Sequence, residues 1–305
     1  MLKITNLTKT FKMKPVLENL SFHINRGEIV SILGRSGSGK STLLNLIAGF
    51  ERADEGKIVL EETQLSGGGT FIDPSRRAIG FVFQNYALFP HLNVSENIAF
   101  GIAYLSKSER NARVSKLLAL IGLEEYGSKY PDTLSGGEQQ RVALARVLAT
   151  EPSIILLDEP FSNVDTVLKT TIRNELISIL RGTNATAIFV THDPHEAMAI
   201  SDRIAYIDNG EIVQFDTPEV LYHSPVNENI AAFFGPINRY NGKFVRVEQC
   251  RIDENGTIAA EVKFSQFMGN RYETTVRFTY EGEECRFLLY TERRYENGEK
   301  VNIEF

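Results

Sequence analysis

The chain has 305 residues, 42% of them hydrophobic and 24% charged, with a formal net charge of −6. That length predicts one large core plus a smaller unit, because domains usually run to about 100–200 residues. No apolar run approaches the roughly 20 residues needed to span a bilayer, and the acidic balance argues against a general nucleic-acid binder. The N-terminal "MLKITNLTKTFK" lacks the apolar core and cleavage site of a secretory signal. The two cysteines, Cys250 and Cys285, stand in no metal-ligand spacing, so a reduced, cytosolic setting is expected.

Strand-like apolar runs alternate with helical patterns to about residue 235, which predicts an α/β class with a mainly parallel sheet. The first informative run, "EIVSIL", is followed by "GRSGSGKST" (34–42) and the helix pattern "LLNLIAGF". This strand, glycine loop and helix form the phosphate-binding arrangement in its full context. Gly34, Gly37 and Gly39 allow backbone N–H groups to turn inward around phosphate oxygens beside Ser36 and Ser38, and the helix start adds partial positive charge. A nucleoside triphosphate is the natural guest. Lys40 is expected to reach the β- and γ-phosphates, Ser41 to bind Mg²⁺ and Thr42 to add a phosphate contact. An incidental glycine-rich turn is the alternative.

Between about 94 and 150 the strand signal disappears, and "SKSERNARVSKLLALIGL" reads as an amphipathic helix within a helical insertion. Tyr86, Leu88, Phe89 and Pro90, just before it, gather in a loop too short to bury them all. They are read either as a docking patch or as packing against the insertion. "LSGGEQQR" (134–141) has capping-box spacing from Ser135 to Glu138, yet two consecutive glycines in a first helical turn cost roughly 1 kcal/mol each relative to alanine. An anion approaching bare backbone is the physical candidate, with the Ser135 hydroxyl and the Gly137 N–H as donors beside Gly136.

Two later strands end in chemistry. "SIILLDEP" finishes at Asp158 and Glu159, and "AIFVTHD" delivers His192 to the same sheet edge, where open α/β sheets collect ligands. Asp158 is assigned to Mg²⁺, Glu159 to the attacking water as general base, and His192 to orienting that water and touching the γ-phosphate. The alternative for a lone Asp-Glu pair is a cap or a solvated pair. Asn209-Gly210 predicts a hairpin, and Thr217-Pro218 a helix start. From about 240, alternating aromatic runs such as "YETTVRFTY" predict a small all-β domain, joined through "FFGPINRYNG".

The ordered set Gly34–Thr42, Gln84 after "FVF", "LSGGEQQR", "LLDEP", "SNVD" (162–165) and "THD" resembles the ATP-binding cassette family of transporter ATPases over residues 1–235. That resemblance implies a phosphate-loop cassette with a parallel sheet core, an antiparallel β subdomain and a helical subdomain at about 94–150. The tail, 236–305, is similar to the oligonucleotide-binding-type, barrel-like β domain of family importers. ATP and Mg²⁺ are the implied ligands. A head-to-tail homodimer is implied as well, with Ser135, Gly136 and Gly137 acting in trans and Asp165 at the interface. Gln84 would contact Mg²⁺ or the lytic water, and Phe11 would stack on adenine, although Lys12 follows it where the family more often has Tyr-Gly. The resemblance also implies transmembrane permease partners, an extracytoplasmic solute-binding protein indirectly, no nucleic acid, and a peripheral position on the cytoplasmic face of the inner membrane. Ferric iron or polyamine is the expected solute. The rival reading is a soluble cassette ATPase acting on nucleic acid or ribosomes.

Overall fold

The computed structural model describes residues 1–305 apart from 163 and 165, with the backbone alone of 166 and 167. It divides into two compact units, Met1–Pro218 and Glu219–Phe305.

In the first unit β1 (Leu2–Phe11) and β2 (Lys14–Ile24) form a hairpin, and β3 (Ile29–Leu33) leads through the glycine loop into α1 (Lys40–Ala48). Next come β4 (Glu55–Leu60), β5 (Thr63–Gly67) and β6 (Thr70–Phe71), which with the hairpin make an antiparallel sheet of order β2-β1-β4-β5-β6. After β7 (Ile79–Val82) the chain turns helical, with α2 (Val94–Ala99), α3 (Lys107–Leu120) and α4 (Gly136–Ala149). Each of the three starts with a capping box, Asn93/Glu96, Ser106/Glu109 and Ser135/Glu138, so local sequence fixes where each helix begins. The expected insertion is therefore present. The chain re-enters the sheet through β8 (Ile154–Asp158), α5 (Thr166–Gly182), β9 (Ala187–Val190), α6 (Pro194–Ile200), β10 (Arg203–Asp208) and β11 (Glu211–Asp216).

The central sheet has the order β11-β10-β3-β9-β8-β7, parallel except for β11. Strands β3 and β9 are buried at every residue, as both faces of this sheet are covered, and their apolar runs therefore do not alternate. One face packs Val30, Ile32, Ile188 and Val190 with Leu43 and Ile47 of α1; the other packs Ile29, Ala187 and Phe189 with Val142 and Leu176 of α4 and α5. Register pairs Ile32 with Val190 and Val190 with Asp158, so the carboxyl ends of β3, β8 and β9 lie side by side. The Asn209-Gly210 turn joins β10 and β11, with φ of 48° and 83°.

Helix α1 is anchored at its far end. Gly49, at φ 88°, ends it, and a Cβ there would meet the Arg77 guanidinium at 2.5 Å. Arg77 Nη1 donates to Leu46 O (3.0 Å) and Ile47 O (2.6 Å), and its Nε donates to Ile72 O (2.8 Å). A buried cation thus caps the carbonyls at the helix C-terminus, fixing the direction in which the N-terminus points.

The second unit takes most of α7 (Pro218–His223), then α8 (Glu228–Phe234), the hairpin β12 (Ile237–Tyr240) and β13 (Lys243–Arg246), and β14 (Arg251–Ile252). It continues with β15 (Ile258–Phe267), β16 (Tyr272–Tyr280), β17 (Glu283–Thr291) and β18 (Lys300–Glu304), and its five-stranded antiparallel sheet runs β14-β18-β15-β16-β17. Phe278, Phe287 and Phe305 cluster in its core, with ring centroids 4.6–5.9 Å apart. The division falls before the composition change near 235 for a physical reason. Arg246 donates to Tyr222 O (2.7 Å), Ala231 O (2.6 Å) and Gly235 O (3.3 Å), tying both short helices to the β strands behind them.

Candidate active site

Glycine geometry shapes the loop between β3 and α1. Gly37 and Gly39 take φ of 80° and 99°, and a Cβ on Gly39 would meet Leu17 Cδ2 at 2.6 Å and Val16 O at 2.8 Å. A side chain is disfavoured at Gly39 by both backbone conformation and space, and at Gly37 by conformation alone. Gly34 answers a different need: its Cβ would lie 2.2 Å from Ile207 O of β10, so it permits close strand packing.

A cavity of about 610 Å³ opens over this loop, lined by Val16, Ser36, Gly37, Gly39, Lys40, Ser41, Thr42, Glu159 and His192. A larger cavity of about 1110 Å³, lined in part by Leu105, Arg113 and Ser153, brings together no such set. Lys40 is buried and donates from Nζ to Gly34 O (3.0 Å) and Arg35 O (2.9 Å). Burial pushes its ammonium below the usual lysine range, opposed by the charges of Glu159 and Asp158. Ser41 Oγ donates to Asp158 Oδ1 at 3.4 Å. Burial, then the neighbouring Glu159, raises the Asp158 carboxyl above its ordinary range, against the pull of Ser41 and Lys40. His192 Nδ1 lies 3.3 Å from Glu159 Oε1.

Glu159 has φ 43°, an unusual value for a residue bearing a side chain, and it lines the cavity. Its N–H donates to Val190 O (3.0 Å), and its carbonyl accepts from Ser162 N (3.1 Å) and Ser162 Oγ (2.9 Å). Gln84, exposed beyond β7, donates from Nε2 to Ser162 Oγ (3.1 Å) and does not line the cavity.

The cavity fits a nucleoside triphosphate by its own geometry. Its loop is glycine-shaped, its lysine is desolvated, and the buried Ser38 hydroxyl has no hydrogen-bond partner among the described residues. The hydroxyl of Ser41 facing the Asp158 carboxylate is a hard oxygen pair suited to Mg²⁺ held between protein and phosphates.

Phe11 ends β1 exposed, with Lys9 Nζ 4.8 Å from its ring centroid; it does not line the cavity, to which the hairpin contributes Val16. No hairpin-turn signal marks Val16. The loop 86–90 is not a contiguous exposed patch: Tyr86 is buried, Leu88 packs on the core, and Phe89 lies 4.3 Å from the exposed Phe100 ring. Helix α4 supplies the cover, since Arg146 binds this loop from 60 residues away. A groove of about 730 Å³, lined in part by Leu92, Phe100, Val114 and Leu118, opens between α2 and α3 instead.

Ser135 caps α4, but Ser135, Gly136 and Gly137 do not line the cavity of their own chain. A Cβ on Gly137 would meet Ile172 Cδ1 at 2.6 Å, whereas one on Gly136 would meet nothing within 4 Å. Packing accounts for the second glycine, and the first faces open space. Asp165 lies outside the described residues. His195 is exposed, as expected of a residue in the first turn of α6. Among the described residues no helix is long and apolar enough to cross a membrane.

The family model described as ABC transporter matches residues 17–162. The spermidine/putrescine import ATP-binding protein PotA of Thermotoga maritima is 47% identical over 247 residues, 80% of this chain and 66% of the relative, just under two thirds of its length. The sulfate/thiosulfate import ATP-binding protein CysA of Nocardia farcinica is 39% identical over 293 residues, 95% of this chain and 87% of the relative. The Fe(3+) ions import ATP-binding protein FbpC 2 of Haemophilus influenzae is 46% identical over 237 residues, 77% of this chain and 67% of the relative. A solved dimeric ATP-binding cassette, described as a post-hydrolysis state bound to ADP and Pi, aligns with a TM-score of 0.61 at 35% identity, covering 72% of this chain and 99% of that one. Ordered motifs, strand-edge geometry and these likenesses agree that the chain belongs to the ABC transporter family.

Proposed function

We propose that this chain is the ATP-hydrolysing subunit of an importer, working as a homodimer against separate permease subunits at the cytoplasmic face of the membrane. One observation carries the reading: the loop Ser36–Thr42, the buried Lys40 and the Glu159–His192 pair converge on one cavity, with Ser41 facing Asp158 at 3.4 Å. Triphosphate binding exchanges the bonds of Lys40 to Gly34 O and Arg35 O for bonds to phosphate oxygens. Ser41 and Asp158 would hold Mg²⁺, which supplies charge neutralisation on the phosphates. Glu159 takes a proton from water as its oxygen bonds to the γ-phosphorus, the β–γ bridging bond breaks, and ADP leaves with the bond electrons. His192, paired with Glu159, orients that water and meets the γ-phosphate.

The second copy supplies Ser135, Gly136 and Gly137. The open space over Gly136 supports this part of the reading, because among the described residues no atom comes within 4 Å of a Cβ placed there. Asp165 is assigned to the contact between copies, Gln84 to Mg²⁺ or the lytic water, and Phe11 to the adenine. A cytoplasmic helix of the permease is assigned to the α2/α3 groove beside Phe100. Relatives' names range over spermidine/putrescine, sulfate/thiosulfate and Fe(3+), and polyamine and ferric iron are the solutes to test first, with an extracytoplasmic binding protein delivering them.

The test compares phosphate release by the wild-type chain and Glu159→Gln, alongside recovery of partners from detergent-solubilised membranes. Loss of about 10²–10⁴-fold in turnover with nucleotide binding retained is expected for a missing general base. Equal rates would overturn the assignment of Glu159, and recovery of ribosomes or nucleic acid in place of a multi-span protein would overturn the transport role.

A further inference from the structure

The segment between β7 and α2 contains two consecutive residues in the left-handed region, Tyr86 at φ 60° and Ala87 at φ 45°. Neither is glycine, and a single side chain in that region is already uncommon. Their N–H groups are used locally, Tyr86 to Phe83 O (2.9 Å) and Ala87 to Asn85 O (2.7 Å). Both carbonyls are taken by one guanidinium: Arg146 Nη2 donates to Tyr86 O (3.0 Å), and Arg146 Nη1 to Ala87 O (2.7 Å). Arg146 is half-buried in the last turn of α4 and lies 5.3 Å from the Phe89 ring centroid. No carboxylate pairs with it among the described residues, so its charge is directed at these two carbonyls.

The same loop grips the catalytic turn from its other side. Gln84 Nε2 donates to Ser162 Oγ (3.1 Å), Tyr86 Oη donates to Pro160 O (3.4 Å), and Ser162 Oγ donates to Glu159 O (2.9 Å). Two strained residues therefore sit between an arginine on one helix and the turn that aims the general base.

We propose that Arg146 is a positioning residue: it latches Tyr86 and Ala87 in the left-handed conformation and so seats Gln84 on the Ser162–Glu159 turn. Through this latch α4, whose first turn carries Ser135 to Gly137, is joined mechanically to the catalytic carboxylate of its own chain. Bidentate donation requires the planar fork of arginine, and a lysine ammonium is a single point charge. Without the fork, Ala87 relaxes to negative φ, the carbonyls swing away, and Gln84 leaves Ser162. The inference rests on the roles proposed above for Glu159 and Gln84.

The experiment uses the full chain with Arg146→Lys, Ala87→Gly, the double variant, and Ser162→Ala. Turnover, the Mg²⁺ concentration for half-maximal activity, affinity for fluorescent ADP without Mg²⁺, melting temperature, and hydrogen exchange of a peptide spanning 83–89 are measured on each. Arg146→Lys is expected to lower turnover and raise half-saturating Mg²⁺ by about 10-fold or more, as loss of an outer partner does, with ADP affinity unchanged. Exchange over 83–89 should quicken. Ala87→Gly relieves the backbone cost of φ > 0, so in the double variant it should restore both turnover and slow exchange. Ser162→Ala should lower turnover while leaving exchange over Tyr86 and Ala87 slow.

The latch is overturned if Arg146→Lys lowers only the melting temperature, with Mg²⁺ dependence and exchange unaltered, or if Ala87→Gly fails to rescue. If Arg146→Lys does not fold, Ser162→Ala decides, and unchanged turnover in that variant overturns the linkage. A Glu159→Gln chain that hydrolyses at the wild-type rate breaks the underlying functional reading instead. An inactive Glu159→Gln beside an unaffected Arg146→Lys breaks the latch alone.

Discussion

The two glycines at the start of α4 allow stability and activity to be separated. Both have ordinary helical φ, so alanine is conformationally acceptable at either. Replacing Gly136 places a methyl group in open space, and the expected effect is a gain of about 0.4–1 kcal/mol, chiefly through a less flexible unfolded chain. For a chain of this size that corresponds to roughly 1–4 °C in melting temperature. At Gly137 the same gain is offset, because the methyl meets Ile172 Cδ1 at 2.6 Å and Cγ1 at 3.0 Å and the isoleucine must repack. Activity should move the other way at Gly136. In the proposed homodimer the partner's nucleotide approaches this surface, so a methyl there displaces backbone donors from the phosphate, and loss of such a donor costs about 10²–10³ in turnover. Thermal unfolding of the nucleotide-free chain and phosphate release at saturating MgATP are the two assays. A Gly136→Ala chain that is more stable and nearly inactive fits the reasoning. One that is more stable and fully active refutes it, since nothing outside the chain would then need that surface bare.

The same geometry sets three further outcomes. Burial holds the Asp158 carboxyl above its ordinary range, so the folded chain binds this proton more tightly than the unfolded one; stability from this group falls as pH rises from the ordinary carboxylate range through the folded pKa. Asp158→Asn should therefore raise the melting temperature of the nucleotide-free chain at pH 7 and flatten that part of the pH profile while abolishing Mg²⁺-dependent turnover; a lower melting temperature would count against it. Arg77→Met leaves the carbonyls of Leu46, Ile47 and Ile72 without their donor and should cost about 2–4 kcal/mol, read as a fall of roughly 5–15 °C in a thermal melt. Burial pushes the Cys250 and Cys285 thiols up, so an alkylating reagent at pH 8 should label both far more slowly in the folded chain than in denaturant, with mass spectrometry as the readout.

The chemistry is legible in the sequence wherever it sits within a few residues of a strand end. Leu33, Asp158 and Val190 end apolar runs whose lack of alternation reflects cover on both faces, and parallel register then aligns the residues just beyond them. Capping boxes and the Asn209-Gly210 turn are equally local, and they stand where their residues indicate. The features that escape a sequence reading depend on partners distant in the chain. Val16 reaches the cavity because β2 passes beside Gly39, and the turn before it uses Lys12 and Met13 at φ 47° and 65° with none of the usual turn residues. Tyr86 and Leu88 look exposed in the sequence because their cover comes from α4. The short helices near 220–234 read as part of the cassette because the arginine that ties them to the tail lies at 246.

The chain carries several arrangements that are unfavourable on their own: at the sheet edge a desolvated ammonium, a carboxyl raised by burial and a glutamate at positive φ, and in the helical insertion a helix opened by two glycines. In a sequence selected for stability alone each would be easily relieved, Asp158 by asparagine and Gly136 by alanine. Their coincidence is informative because the ligands that offset them differ. On the proposed function, triphosphate would compensate the ammonium, Mg²⁺ the buried carboxyl, and a second copy the bare helix turn. No single ligand would relieve these three, so on that reading their cost is fully offset only when nucleotide, metal and second copy are present together. The proposed function thereby has a physical basis for coupling hydrolysis to assembly: the chain holds its proposed catalytic groups in place, and their complementary charges would arrive with the ligand and the partner.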